Sequence, residues 1–432
     1  MSDTYRFETK ALHAGFAQDT THACATPLHR TAAYLFRDTE HAANLFGLKE
    51  LGYIYSRLGS PTQDVLEQRL AVLEGGKAAV ALASGTAAIH YSVLNICRKG
   101  DEIVSSAHLY GGTYTMFDAI LPDQGITTRF ADFSQPDAIR RAITDKTRML
   151  FTEVIGNPSL DVVRIAEIAK VAEEFHLPLV VDSTFTPPCL FRPLEHGAHV
   201  VVHSLTKWIG GHGTAVGGVA IDGGTFDWTD PKFALYNEPD PSYHDIRYAH
   251  DLGELNPVAF ALRMRLVPLR NLGGCISADN CWLFLQGLET LSLRMERHSA
   301  NALRVAEYLA GHPGVAWVRY PGLQNDPAHA AARDQFGATD MGYGGMVVFG
   351  IKGGVQAGAS FINSLGIFRH VANVGDAKSL AIHPASTTHS QLTEAQQAAG
   401  GITPDLIRLS IGIEHINDIL EDLEQALARS AG

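Results

Sequence analysis

The sequence predicts an α/β protein: a large layer on a mostly parallel sheet, followed by a smaller C-terminal α+β domain. Three observations predict it. Short apolar runs recur at 79–82, 103–105, 127–131, 149–154, 179–181, 200–202 and 218–221. Several are separated by helical apolar spacing, at 85–97, 136–143 and 165–175, and alternation of that kind fits parallel strands with helical crossovers. After a long helical stretch at 278–309, segments at 315–319, 346–349, 356–365, 379–383, 406–410 and 416–427 alternate again on a smaller scale.

Taken in order, residues 1–60 show little periodicity and many aromatic and polar residues, so they read as an extended arm. Residues 61–270 form the main domain and 271–432 the C-terminal one. Helical spacing begins after Pro61 (Val65, Leu66, Leu70, Val72, Leu73) and stops at Gly75-Gly76. Residues 223–270 are rich in Pro, Tyr, His and Asp, and their Asn237-Glu238-Pro239-Asp240-Pro241 stretch reads as loop. There is no internal repeat and no low-complexity segment.

Composition narrows the function. A hydrophobic share of 46% against 19% charged fits a globular enzyme. A net charge of −12 without a basic run argues against a nucleic-acid partner. No apolar run reaches the length of a membrane span, and Met1 to Arg6 lack the pattern of a signal peptide, so a cytoplasmic protein is expected. The cysteines (Cys24, Cys97, Cys189, Cys275, Cys281) are odd in number and form no C-x-x-C, which argues against a disulfide framework or zinc ribbon.

The chemistry centres on Ser204-Leu205-Thr206-Lys207-Trp208-Ile209-Gly210-Gly211, just past an apolar run. The run Leu179-Val180-Val181 likewise ends in Asp182. A pyridoxal phosphate enzyme needs those two groups, an amine for the cofactor aldehyde and a carboxylate for its ring nitrogen. The plainer readings are a surface lysine in a polar turn and an Asp182 helix cap with Ser183 and Thr184. Ser84-Gly85-Thr86 follows a strand and opens a helix, where free N–H groups cradle phosphate, although the same residues make an ordinary cap. Ser204 and Thr206 flank the lysine with hydroxyls that suit the same phosphate. A nucleotide loop is disfavoured, because the glycines follow Lys207 and no G-x-x-x-x-G-K or strand-linked G-x-G-x-x-G occurs.

Other candidates sit at strand ends. Tyr110 opens Tyr-Gly-Gly-Thr and can lie over a ligand, while Asn157 stands in Gly-Asn-Pro, a turn signal first. Tyr55 and Arg57 form an aromatic and basic pair in the arm. Arg408 interrupts an apolar strand pattern and needs a carboxylate, from substrate or protein. His196, His199 and His203, or His383 and His389, lack zinc spacing, so no metal site is expected.

Together these motifs resemble the Cys/Met-metabolism family of pyridoxal phosphate enzymes, with the type I (aspartate aminotransferase-like) fold. Segments 53–62, 83–88, 110–114, 153–158, 181–184, 204–213 and 408–414 occur in family order. The resemblance implies that Lys207 binds the cofactor aldehyde and carries protons, with Tyr110 assisting and stacking on the ring. It implies Asp182 at the ring nitrogen, Asn157 at the ring hydroxyl, and Ser84, Gly85, Thr86, Ser204 and Thr206 on phosphate. Tyr55 and Arg57 would reach the neighbouring subunit's phosphate, in a homotetramer built from dimers with shared sites. Arg408, Ser379 and Asn157 would receive substrate.

The run Val374 to Leu380 and the run His383 to His389 resemble the O-acetylhomoserine sulfhydrylase branch. Lys378 stands where cystathionine enzymes carry glutamate, and Gly112 where methionine γ-lyases carry cysteine. The branch implies replacement of acetate in O-acetyl-L-homoserine by sulfide or methanethiol. A cystathionine γ-synthase or γ-lyase of the same family is the alternative, and a non-catalytic relative the remote one.

Overall fold

The computed structural model describes residues 4–18, 20–337, 339–387 and 401–430. Thr388 and His389 lie outside them. The first sheet contains β1 (Ala78–Leu82), β2 (Glu102–Ser106), β3 (Thr127–Ala131), β4 (Thr147–Glu153), β5 (Leu179–Asp182), β6 (Val200–Ser204) and β7 (Gly218–Asp222). Its spatial order is β1-β7-β6-β5-β4-β2-β3. The pairs from β3 through β6 are parallel, and β7 runs antiparallel to both β6 and β1.

Successive side chains of these strands enter opposite cores. Leu150, Val181 and Val201 pack on one face, and Phe151, Val180 and Val202 on the other. Burial on both faces explains why the strands read as continuous apolar runs. The polar residues that end β2, β4, β5 and β6 (Ser106, Glu153, Asp182 and Ser204) therefore reach one edge of the sheet. Glu153 pairs in register with Asp182, and Asp182 with Val202, two residues before Ser204.

Four helices bear on that edge or on the arm: α1 (Phe7–His13), α2 (Thr39–Phe46), α3 (Pro61–Glu74) and α4 (Gly85–Ile96). Ser60 caps α3 with Pro61 in its first turn, and Gly75 ends it at φ 76°. In α4, Ser84 Oγ accepts from the Ala87 N–H at 3.0 Å. The arm is less extended than expected, because it contains α1 and α2. At 7 and 8 residues they are too short to leave a periodic signal. Docking stabilises α1, where Arg69 Nε donates to Ala14 O at 2.9 Å.

Residues 223–270 cover the outer side of α4 with an aromatic cluster, in which Trp228 stacks on Tyr236 at 4.1 Å. The buried Arg263 donates to Asn95 O at 3.1 Å and to Asn95 Oδ1 at 2.9 Å, closing the C-terminal end of α4. The stretch at 278–309 divides at Thr290 into helices Ala278–Glu289 and Leu291–Gly311.

The second sheet comprises β8 (Val315–Arg319), β9 (Met346–Ile351), β10 (Arg369–His370), β11 (Leu380–Ile382) and β12 (Leu406–Ser410). Its order is β10-β11-β12-β9-β8, antiparallel except for β10 with β11. Among the described residues no helix is long and apolar enough to cross a membrane.

The join between α4 and β7 is tight. A Cβ on Gly218 would lie 2.3 Å from the Ser84 carbonyl carbon and 2.5 Å from Gly85 N. Gly218→Ala should therefore cost about 1–3 kcal/mol, seen as a lower urea midpoint. Gly311→Ala, which meets open space, should stay within about 0.5 kcal/mol of the parent. Equal midpoints for the two variants would refute the tight join.

Candidate active site

Lys207 projects from a turn fixed below by apolar anchors. Leu205, Trp208 and Ile209 are buried, and the Gly211 N–H donates to Lys207 O at 2.8 Å. Arg294, itself buried, donates to Trp208 O at 2.7 Å, Ile209 O at 3.1 Å and Gly287 O at 2.6 Å. Gly211 adopts φ +70°, and a Cβ there would overlap the Arg294 guanidinium. Lys207 Nζ donates to Asn373 Oδ1 at 2.6 Å. Burial, reinforced by the Arg408 charge, lowers its pKa to about 8.

Asp182 ends β5 with one edge accessible. Its Oδ1 accepts the Thr184 N–H at 2.8 Å. Burial raises its pKa, while the bonds from Thr184 and the nearby His203 oppose that rise. Glu153, beside it on β4, is pushed well up by burial and by the Asp182 charge. The two carboxyl groups therefore titrate as a pair, each disfavouring the charge of the other. Among the described residues no cation stands within ion-pair distance of Asp182.

The Tyr110 N–H donates to Glu153 Oε1 at 2.6 Å, and its ring is 53% exposed at the mouth of the site. A Cβ on Gly112 would sit 2.6 Å from the Tyr110 ring, so a larger residue there would displace the ring. The first N–H groups of α4 lack intrahelical partners. Gly85 brings them against β6, for its Cβ would lie 2.7 Å from Ser204 Cβ. The Ser204 N–H donates to Thr184 Oγ1 at 2.9 Å, joining the ends of β5 and β6. The Thr206 hydroxyl is engaged with Gly217, donating to O at 3.3 Å and accepting from N at 3.2 Å.

Arg408 is buried on β12, and Nη1 donates to Asn157 Oδ1 at 3.0 Å. Burial lowers its pKa to about 10, so it stays charged at neutral pH. Among the described residues no carboxylate pairs with it. Ser379 is committed elsewhere: its Oγ donates to Glu414 Oε2 at 2.9 Å and accepts from the Gly412 N–H at 2.9 Å. Tyr55 and Arg57 lie together in the arm, with the guanidinium 4.9 Å from the ring centroid. Among the described contacts none joins that pair to Lys207, Asp182 or Ser84.

The structure thus gathers Lys207, Asp182, Ser84, Gly85, Thr86, Ser204, Tyr110, Asn157 and Arg408 around one sheet edge. Sequence reasoning missed Asn373 and gave Glu153 no role. Glu153 carried a usable signal, since it ends an apolar run as Asp182 does. Asn373 carried none, because its partner lies 166 residues away.

A family model for the Cys/Met metabolism PLP-dependent enzymes matches residues 8–428. The chain belongs to this family. It is 52% identical to an O-acetyl-L-homoserine sulfhydrylase of Leptospira meyeri, over 99% of this chain and 98% of that one. It is 47% identical to a homocysteine synthase of Schizosaccharomyces pombe, over 98% of this chain and 99% of that one. A crystal structure of a putative O-acetylhomoserine (thiol)-lyase from Campylobacter jejuni superposes with a TM-score of 0.94 at 39% identity. The alignment covers 98% of this chain and 100% of that one, which carries N'-pyridoxyl-lysine-5'-monophosphate.

The protein is accordingly a pyridoxal phosphate-dependent enzyme with the type I fold. The side chains fit that cofactor. A carboxylate without a cation, a helix N-terminus beside a hydroxyl, a lysine of lowered pKa and a buried arginine without a carboxylate are the groups that it and an amino acid require.

The Lys207 coupling is measurable without cofactor. In the cofactor-free protein an amine-specific reagent should label Lys207 with a midpoint near pH 8, Nζ being protonated below it. Arg408→Met removes a neighbouring positive charge and should raise that midpoint. A midpoint that stays put or falls refutes the coupling.

Proposed function

We propose that this enzyme replaces the acetate of O-acetyl-L-homoserine with sulfide or methanethiol, giving homocysteine or methionine. The observation that carries it is Arg408, a buried cation without a carboxylate partner beside Lys207, which suits the α-carboxylate of an amino acid. Full-length similarity to relatives named as O-acetyl-L-homoserine sulfhydrylase and homocysteine synthase supports the choice of ester and thiol.

Pyridoxal phosphate, when bound, supplies a sink for the electrons left when the substrate α-proton departs. We assign Lys207 Nζ to the cofactor aldehyde and Asp182 to the ring nitrogen. The N–H groups at Gly85 and Thr86, with the Ser84 and Ser204 hydroxyls, hold the phosphate. Thr206 joins them by turning its hydroxyl from Gly217. Tyr110 covers the ring, and Asn157 serves both the ring hydroxyl and Arg408. Lys207, with a pKa of about 8, would take the proton from Cα, hand it to the electron sink that the cofactor supplies and, a free amine again, take one from Cβ; both protons would return by the same route. Acetate leaves Cγ and the thiol adds there, with Tyr110 assisting the proton movements. Ser379 acts from behind, holding Glu414 and Gly412 next to the strand of Arg408.

In this reading residues 61–270 hold the cofactor, 271–432 bring Arg408 to it, and the arm 1–60 reaches a neighbouring subunit. Apolar arm residues left in solvent support that assembly, Leu35 at 98% and Leu51 at 71% exposure. Dimers pair into a homotetramer. The five free cysteines support a cytoplasmic location.

Supplied with O-acetyl-L-homoserine, the enzyme should form homocysteine with sulfide and methionine with methanethiol. Cystathionine as the main product with cysteine would assign a synthase instead, and keto acid with ammonia in the absence of thiol a lyase. Lys207→Ala should lose both turnover and the absorbance of covalently held cofactor; an unchanged spectrum refutes its role. Arg408→Ala should lose about 1.5–3 kcal/mol in kcat/KM, mostly through KM. Unchanged kinetics would make Arg408 structural.

A further inference from the structure

Arg265 lies in a π-turn, Arg265–Leu269, that contains Pro268, far along the chain from every residue of the site. Its Nη2 donates to Glu67 Oε2 of α3 at 2.6 Å and to Ala79 O of β1 at 3.3 Å. Glu67 is buried and held on its other oxygen, which accepts from the Ala81 N–H at 2.7 Å and from Gln63 Nε2 at 2.9 Å. This anchor is therefore rigid and bonded at every point. The other terminal nitrogen, Nη1, donates to Leu58 O in the arm.

Leu58 directly follows Arg57, and its own N–H donates to Tyr55 O at 2.9 Å. The same helical segment holds Arg57 a second time, because Arg57 Nε donates to Arg270 O at 3.1 Å. With Nε fixed and the guanidinium against the Tyr55 ring, the Nη groups of Arg57 form no ion pair among the described residues. Tyr55 is 41% exposed beside them. An aromatic ring beside a guanidinium held through Nε, on a segment whose backbone Arg265 also holds, makes a prepared anion receptor, and among the described contacts none joins it to this subunit's own lysine.

We propose that Arg265, locked on Glu67, is a positioning residue for the neighbouring subunit's cofactor site, because it fixes the arm segment that presents Tyr55 and Arg57. This rests on the reading that Tyr55 and Arg57 serve the neighbour's phosphate. A consequence separates it from a merely structural role. Loss of Arg265 weakens the site that receives the arm and leaves intact the site in the subunit that carries the mutation. General damage would do the reverse, since Arg265 also touches β1, which leads to Ser84 of its own subunit.

Hybrid dimers isolated through two different tags test this. One subunit carries Lys207→Ala, so a single working site remains, and pyridoxal phosphate retention and kcat/KM are read at that site. Placing Arg265→Met on the Lys207→Ala subunit should weaken cofactor retention at the partner's site about tenfold, a loss of roughly 1.4 kcal/mol. Placing it on the subunit with intact Lys207 should give the parent hybrid's values. Arg265→Lys, which keeps the charge and a donor, should restore most of the loss. If the defect follows the intact Lys207, or neither arrangement shows one, the inference is overturned. Should Arg265→Met fail to assemble, Glu67→Gln removes the charge that locks Arg265 but keeps an acceptor for Ala81, and it must show the same pattern across subunits. Arg57→Ala on the Lys207→Ala subunit is the control. If it leaves the partner's site at full activity, the shared-site reading fails and takes the inference with it. If it weakens that site while Arg265→Met and Glu67→Gln do not, only the inference fails.

Discussion

The first turn of α4 lies directly on the ends of β6 and β7, and the site depends on that contact. Gly85 and Gly218 permit it, since a Cβ on either would enter the backbone of the other element. The contact aims the free N–H groups of α4, carrying roughly half a positive elementary charge, at the edge where Asp182 and Ser204 end their strands. The far end of α4 is equally constrained, by Arg263 and the aromatic cover from residues 223–270. That segment has no periodicity in sequence, yet it holds the helix whose other end faces the proposed phosphate position.

The charges around Lys207 are divided in space. Carboxyl groups Glu153 and Asp182 lie on adjacent strands of the first sheet. Arg408 comes from the second sheet, and Arg294 from the helix Leu291–Gly311. Buried charges without ion partners are costly, so each must be satisfied otherwise. Arg294 is satisfied by three carbonyls of the protein and stabilises the lysine turn. Among the described residues Arg408 bonds a single side-chain amide, and Asp182 bonds only Thr184. The two under-satisfied groups have opposite sign, and they suit a ligand with a protonated ring nitrogen at one end and a substrate carboxylate at the other. Binding would satisfy both, so affinity and orientation come from the same interactions.

What the sequence revealed follows from how far apart the partners are along the chain. Parallel strands buried on both faces leave unbroken apolar runs, and a polar residue closing such a run sits at the sheet edge. Asp182 was legible for that reason and Lys207 because it follows the end of β6, whereas Arg408 was legible because it interrupts the apolar pattern of β12. Asn373 was not, because it reaches Lys207 from a loop 166 residues onward. Nor was the Arg265 to Glu67 lock, whose partners are 198 positions apart. The helices α1 and α2 were hidden by their shortness. Ser379 shows the opposite limit, for its motif was visible while its commitment to Glu414 and Gly412 required the tertiary structure.

The loop that carries Asn373 packs directly on the lysine turn. Lys378, a weak mark in sequence, bonds Asp376 Oδ1 through Nζ at 3.0 Å. Asp376 packs on Gly213, just past the lysine turn, and the Ala377 N–H donates to Gly211 O at 2.8 Å. Gly375, at φ +76°, lies against the Trp208 backbone, and Asn373 holds Nζ itself. Asp376 and Ala377 thus tie the residues beside Lys378 to the lysine turn. Gly112 acts similarly on the other side, because any side chain there presses on Tyr110. Lys378 and Gly112, which we propose as marks of the branch, therefore lie near the two groups proposed to move protons. Selectivity at Cγ can change by shifting Lys207 and Tyr110 relative to the substrate while the phosphate cradle and Asp182 stay fixed.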